Sequence, residues 1–488
     1  MTRLASKRLV LLMCVFSLLC FTFFIPGSTI ASEKPVPGSM DEKFPKPNAT
    51  WDGSKMGDMS DFDPATWEGP KGDVIKIAYV NQFSGPGAIN GYIHYIPILF
   101  AVHDINQRGG IFVDGKKKLV NLYKVDHMGK PDICKKVCER MVLQEKVHVL
   151  MGTSGSHLMK IINEVANKYK IIAVNEGSVS DDLMDATQFG RYSFMPHVGT
   201  EQVGRALAYF YGQVRKKEKN FYILCQDYSF GRTLAEGFKK GLKEFYPESK
   251  IVGEDYHKLF LTDFAPYIEK IKASGAEVIF SGDWPPDSGN LLRQARQMGV
   301  NIPMANLFMS DATELTDIGV EGTKGIINIE QSEVFPRVTN PGYRKLCEAW
   351  NTQWKKWDKS PYNTILFEHL SSNILAFMSY TYWTLSVIER AGSTDAEKII
   401  KVWEGDTYRQ PNGKIIMMRP CDHKGLQDFY VFEYVAPDQQ KVCFNMPPYY
   451  WHKGCSFHGP GWMIPAGKVL SWMDPKLDRC KGKNDWGE

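Results

Sequence analysis

The chain has 488 residues, 43% of them hydrophobic, which is enough for two or three globular lobes with sizeable cores. A net charge of +4 is close to neutral for this length. It gives no reason to expect a nucleic-acid partner, and no basic block or RNA-binding motif appears.

Arg3, Lys7 and Arg8 precede a nearly unbroken apolar run over residues 9–25, which Pro26-Gly27 ends. Thr29-Ile30-Ala31 then offers small residues where a signal peptidase reads. That order is a secretory leader over residues 1–31. A retained membrane anchor is the alternative, but the run is slightly short for a span. The mature chain is therefore expected to begin near Ser32 and to work beyond the inner membrane, and no later stretch reaches spanning length. Of the ten cysteines, Cys14 and Cys20 leave with the leader. An even remainder in an oxidising compartment permits disulfides, although spacing cannot pair them. Cys134 and Cys138, one helical turn apart, and Cys225, in an apolar strand, read as buried free thiols.

Residues 32–72 are rich in Pro, Gly, Asp and Lys without a sustained period, and read as an extended arm or linker. At Val74 the texture changes to a buried strand over 74–80, closed by the turn Ser84-Gly85-Pro86-Gly87. A helix follows to about Arg108, stopping at Gly109-Gly110. Its Pro97 implies a kink or a late start. Next come a strand at 119–126, a helix with Pro131 in its first turn, a strand at 147–151, a helix at 156–169 and a strand at 171–174. A second run has helices at 201–214, 231–245, 264–273 and 287–298, alternating with strands at 221–225, 251–255 and 277–280. Short apolar strands separated by amphipathic helices predict parallel βαβ units covered on both faces, hence an α/β chain of two doubly wound lobes. The stretch from Gly325 to about Ala436 is too small for a third lobe and is expected to complete the first two. The last fifty residues read as an irregular, cysteine-containing extension.

Ligands bind open parallel sheets beyond the carboxyl ends of strands, where helix N-termini aim backbone N–H groups. Three turns stand out there. Gly152-Thr153-Ser154-Gly155-Ser156-His157 superficially evokes a nucleophile elbow, but Ser156 stands where that motif needs its second glycine, and no ordered Asp and His partners follow. Ser156 reads instead as an N-cap whose hydroxyl and neighbouring amides, with Gly155, also hold a carboxylate. The second turn is Asn175-Glu176-Gly177-Ser178-Val179-Ser180-Asp181-Asp182. The third is Ser281-Gly282-Asp283-Trp284-Pro285-Pro286-Asp287, where Trp284 is either a ligand cover or packed under its own loop. No nucleotide-binding loop occurs at a strand end, so no cofactor is expected. In the tail, Cys443, His452, Cys455, His458 and Cys480 are a possible zinc set. Disulfides among Cys421, Cys443, Cys455 and Cys480 are the preferred reading in an exported chain, so no metal is assigned.

Over about residues 75–436 the chain resembles the type I periplasmic binding proteins of ABC importers, in the branch that binds branched-chain amino acids. The likeness is carried by Ser84-Gly85-Pro86 followed by Ala101 to Ile111, by Asp227-Tyr228-Ser229-Phe230-Gly231, by Thr262-Asp263-Phe264 with Ser274-Gly275-Ala276, by Leu291 to Ala295, and by Gly413 to His423. The resemblance implies two lobes joined by three crossovers, closing on a small solute and presenting the closed form to a membrane permease. It places lobe 1 at 73–197 with 327–412, lobe 2 at 198–326 with 413–438, and an extension at 439–488. It puts Ser156 on the serine that grips a ligand carboxylate, with Gly177 and Ser178 close by. Tyr228, Phe230 and Trp284 become second-lobe contacts, and Asp311 the partner of a ligand ammonium. The family's threonine after the fourth strand has no clean counterpart, leaving Ser178 or Ser180 to substitute. Asn90 replaces an aromatic lid, with Tyr92 as a possible replacement. The resulting expectation is a non-enzymatic, periplasmic solute-capture protein for an importer, taking a small amino acid or related carboxylate or amide. A sensory module of the same fold, or an exported metal-dependent enzyme, are the alternatives.

Overall fold

Strand Ile75–Asn81 sits inside a nine-stranded sheet whose parallel core runs Val120–Asp126, Ile75–Asn81, Val149–Gly152, Ile172–Asn175, Ser193–Val198. The chain order of these strands is thus 2-1-3-4-5, and a second sheet repeats it. There Lys250–His257, Asn220–Gln226, Val278–Gly282, Met304–Asn306 and Ile327–Glu330 lie side by side and parallel. The computed structural model describes residues 35–309, 318–319, 321–331, 341–364, 372–435 and 457–488. The leader read at 1–31 lies outside them. Among the described residues, no helix is long and apolar enough to cross a membrane.

The strands are apolar on both faces because helices cover both. Ile77 and Tyr79 face one core, with helices Ala88–Gln107 and Ser372–Ala391. Their neighbours Ala78 and Val80 face the other, with helices Pro131–Leu143 and Ser156–Tyr169. The second sheet divides in the same period of two. Phe221, Ile223 and Cys225 join helices Thr200–Tyr209 and Ser229–Phe245, whereas Tyr222 and Leu224 join helices Ala265–Ala273 and Asp287–Gln297. Cys134, Cys138 and Cys225 are buried and free, as their settings suggested.

Three crossovers link the sheets: Val198 to Thr200, the passage after Glu330, and Gln427 to Phe429. A buried hydrogen-bonded cluster ties all three together. The Gln331 carbonyl accepts from Gln427 Nε2 at 2.5 Å and from the Tyr380 hydroxyl, and its Nε2 meets His197 Nε2 at 2.8 Å. Gln410 Nε2 donates to Gln427 Oε1 at 3.1 Å.

Several boundaries differ from the sequence reading. Strand Ile327–Glu330 belongs to the second sheet, and strands Ile415–Met418 and Lys424–Gln427 to the first, because strand alternation does not reveal which sheet edge a returning segment meets. Strands Ser193–Val198 and Met304–Asn306 were not foreseen; Pro196 and His197 interrupt the apolar texture of the first, and the second is three residues long. The arm is not a free linker. Ala49–Thr50 pairs with Thr407–Arg409, and Trp51, Met56, Met59 and Phe62 are buried in the first core. The tail is not irregular throughout, since Phe457–Ile464 extends the second sheet beside Phe429–Val435. Pro97 lies within a continuous helix.

Beyond that strand the tail returns to the first lobe. The fully buried Arg419 is held by Asp422 and by the Ser471 carbonyl at 2.8 Å, and Cys421 is bridged to Cys480. Of the possible zinc set, Cys480 is committed to that disulfide, and Cys443, His452 and Cys455 lie outside the described residues. The bridge spans 59 positions in sequence. Cys480→Ser should therefore lower unfolding stability by about 4 kcal/mol, measured by denaturant titration, on the chain-entropy scale for a loop of that size. A loss below about 1 kcal/mol would mean that the non-covalent contacts hold the tail unaided. His197 gives a second expectation. Burial pushes its imidazole down to about 4, so above pH 6.5 it is neutral folded and unfolded alike, and its contribution is lost as pH falls from 6.5 towards 4. The stability advantage of the native chain over His197→Gln should shrink by about 2–3 kcal/mol between pH 7 and pH 4. A pH-independent gap would contradict this.

Candidate functional site

Where strand order reverses, consecutive helices leave on opposite faces and open a crevice beyond the strand ends. In the first sheet that point lies between Ile75–Asn81 and Val149–Gly152; in the second, between Asn220–Gln226 and Val278–Gly282. Segments from the two points touch. Asn90 Nδ2 on helix Ala88–Gln107 donates to the Pro285 carbonyl at 3.1 Å, and the rings of His157 and Tyr228 meet edge to face at 5.9 Å.

The first wall is built on a hydrogen-bond relay. Gly129 N donates to His127 Nδ1 at 3.0 Å, which leaves Nε2–H to donate to Thr153 Oγ1 at 2.8 Å. Thr153 in turn donates to Asn81 Oδ1 at 2.9 Å, and Ser154 N donates to the same oxygen at 3.1 Å. Asn81 Nδ2 donates to the Tyr79 hydroxyl at 2.7 Å, which donates to Glu176 Oε1 at 2.9 Å. Burial pushes His127 down to about 4, which keeps it in the neutral form this chain of donors requires. The relay joins the ends of four strands and sets the Gly152–Ser154 turn against Asn81.

Helix Ser156–Tyr169 begins from that turn. Gly155, at φ 91°, occupies the cap position, so Ser156 is the first helical residue and not the N-cap expected from sequence. Ser156 is almost wholly buried, and its hydroxyl makes no hydrogen bond among the described residues. Gly177 lies against His94: a Cβ there would sit 2.5 Å from His94 Cε1. Ser178 Oγ donates to the Thr153 carbonyl at 2.5 Å. Ser180 Oγ donates to Asp182 Oδ1 at 2.5 Å and meets Thr233 Oγ1 at 3.2 Å, so its hydroxyl is engaged between the lobes.

The second wall is aromatic. Trp284 Nε1 donates to the Tyr228 hydroxyl at 2.7 Å, and Trp284 stands edge-on to Phe260 at 5.6 Å. Phe230 packs between Tyr228 at 5.9 Å and Phe308 at 5.8 Å. Beneath lies a buried polar layer in which His257 Nε2 meets Asp283 Oδ1 at 3.0 Å and Asp287 Oδ2 accepts from Gln226 Nε2 at 2.9 Å. Burial disfavours charge on His257, but the Asp283 contact outweighs it and raises the imidazole. Burial pushes the Asp287 carboxyl up to about 6. This layer anchors both turns of the wall from below.

The structure therefore gathers Gly155, Ser156, Gly177 and Ser178 on one side and Tyr228, Phe230 and Trp284 on the other. Tyr92 is placed elsewhere: its ring packs on Phe83 at 5.2 Å and Tyr362 at 5.7 Å, with Lys124 Nζ 5.0 Å above it. It is held in a first-lobe cluster of rings. Asp311 lies outside the described residues. Asn81, Thr153, His127, His94 and Glu176 were missed as site residues. For Asn81, His127, Thr153 and Glu176 the available signal was a polar residue at or just beyond the end of each apolar strand, whereas His94, on helix Ala88–Gln107, carried no such signal.

The sequence profile described as periplasmic binding protein matches residues 74–440. An amino acid binding protein of Pseudomonas aeruginosa is 30% identical over 374 residues, 74% of this chain and 90% of the relative. The leucine-, isoleucine-, valine-, threonine- and alanine-binding protein of the same organism is 24% identical over 371 residues, 74% of this chain and 90% of the relative. Among solved structures, a solute-binding protein of an ABC transporter from Rhodopseudomonas palustris, in complex with 3,4-dihydroxybenzoic acid, superposes with a TM-score of 0.66. At 15% identity, covering 81% of this chain and 98% of that one, it is a likeness of fold.

The close approach at Gly177 yields a direct test. Gly177→Ala would drive the imidazole of His94 off its position, and denaturant titration should find about 1–3 kcal/mol of lost stability, the usual range for overpacking. A cost below about 0.5 kcal/mol would mean that the loop and His94 yield freely.

Proposed function

Because the chain belongs to the type I periplasmic binding proteins, in the branch of the leucine-, isoleucine- and valine-binding proteins, we propose that it captures one small carboxylate-bearing solute between its two lobes and delivers it to an ABC permease. The observation that carries this reading is the pairing of the two sheet reversal points across one crevice, with Asn90 already reaching Pro285. In this reading the crossovers at His197, Gln331 and Gln427 are the hinge, and closure buries the solute against the aromatic wall. The family's named members are solute-binding proteins, so the site is for recognition and carries no catalytic residue.

On the first lobe, Ser156 would donate its free hydroxyl to the solute's carboxylate, with amide groups of the Gly155–Ser156 turn beside it. On the second lobe, Tyr228, Phe230 and Trp284 would cover its apolar part. An amino acid of the kind named for the Pseudomonas relatives fits this division, as does an aromatic acid of the kind bound in the Rhodopseudomonas structure, since flat rings stack well on aromatic walls. The leader read at residues 1–31 places the protein in the periplasm in this proposal.

Native mass spectrometry of freshly purified protein should find a retained small acid. Calorimetric titration of that acid into Ser156→Ala should then find binding weakened by about 1–3 kcal/mol, the value of a hydrogen bond to a charged group. Unchanged affinity would remove Ser156 from the site. Failure of every amino acid and aromatic acid tried to bind the native protein would count against the solute-capture reading itself.

A further inference from the structure

We propose that His94, braced by the buried Glu176, is a second carboxylate receptor in the crevice and decides that the captured solute must be an acid; this rests on the solute-capture reading above.

The sequence left a gap at this place. The family's threonine beyond the fourth strand has no clean counterpart, and a ligand carboxylate needs donors. The two serines that might replace it have each spent their single proton: Ser178 Oγ donates to the Thr153 carbonyl and Ser180 Oγ to Asp182. A hydroxyl so committed can still accept, but it has nothing to give an anion.

His94 stands where the missing donor is needed. It lies one helical turn beyond Asn90 on helix Ala88–Gln107, and Asn90 reaches the second lobe, so this face of the helix looks into the crevice. Its imidazole rests on the backbone of Gly177, in the loop expected to grip the ligand. The ring stacks on Phe377 with centroids 4.0 Å apart, and its Nδ1 faces Glu176 Oε1 at 3.4 Å and Oε2 at 3.3 Å. Those contacts fix the ring and commit Nδ1–H to Glu176. Nε2, on the opposite edge, has no partner among the described residues.

Glu176 explains why that edge suits an anion. The residue is completely buried, and its hydrogen bond from Tyr79 supplies no positive charge. A buried carboxylate requires a cationic partner, and among the described residues His94 is the one group in ion-pair contact with it. With Glu176 on Nδ1 and a solute carboxylate on Nε2, two anions flank the ring, an arrangement that favours a proton on both nitrogens and makes Nε2–H a charge-assisted donor to the solute. Glu176 acts through His94 and is a positioning residue.

The test compares acids with their uncharged-end counterparts: leucine against leucinamide, and 4-hydroxybenzoate against 4-hydroxybenzamide, titrated calorimetrically into the native chain, His94→Gln and Glu176→Gln. The native protein should prefer at least one acid over its amide by about tenfold or more, the scale of one charge-assisted hydrogen bond. In His94→Gln that preference should collapse towards one, mainly through loss of acid binding, and Glu176→Gln should reduce it less. Equal losses for acid and amide, or an unchanged ratio, would overturn the assignment while leaving solute capture intact. If the native chain binds none of the four probes, the acid retained in native mass spectrometry and its amide take their place, and the same ratio decides. Should His94→Gln not fold by circular dichroism, the ratio in Glu176→Gln decides on the same criterion.

Discussion

One side-chain amide holds the plan of this molecule together. Gln331 sits on the second of three chain passages between the lobes, and it is hydrogen-bonded to His197 on the first and Gln427 on the third. Tyr380 adds a donor from the first lobe's helix. The cluster is buried, so water does not compete for these bonds, and each is worth more than its exposed equivalent. A neutral His197 is part of the same arrangement, because a proton on Nε2 would end its acceptance from Gln331. Everything that faces across the crevice inherits its geometry from this point.

From that anchor the two walls follow with different chemistry. On the first, His127, Thr153, Asn81, Tyr79 and Glu176 pass donors in one direction, so the strand ends are locked to one another before any solute arrives. On the second, the fixed elements are rings, with the His257–Asp283 contact and Asp287 supporting their turns from beneath. Such preorganisation reduces what binding must spend on ordering side chains. A polar, donor-rich wall facing an apolar one selects solutes with one charged end and one greasy end.

The terminal segments, which the sequence treated as appendages, are woven into the body. The arm contributes Trp51, Met56, Met59 and Phe62 to the first core. The tail adds strand Phe457–Ile464 to the second sheet and then returns to the first lobe, where Arg419, Glu404 and the Cys421–Cys480 bridge secure it. Trp472, under the guanidinium of Arg205 at 4.2 Å, touches the second lobe again. The tail therefore spans both lobes alongside the three crossovers.

Local pattern was sufficient for the α/β class, for the doubly wound organisation and for nearly every helix and strand between Ile75 and Gln297, because alternating apolar strands and amphipathic helices are written in nearest-neighbour periodicity. It also placed Ser156, Gly177, Tyr228, Phe230 and Trp284 at strand ends, where open sheets take ligands. What it did not reveal required distant residues to meet. The sheet that Ile327–Glu330, Ile415–Met418 and Lys424–Gln427 join, the packing of Tyr92 on Tyr362, the spent hydroxyl of Ser178, and the pairing of His94 with Glu176 are all set by contacts tens to hundreds of positions apart. A side chain's residue type states which bonds it can make, but only the folded chain determines which partner, at 3 Å, has already taken them.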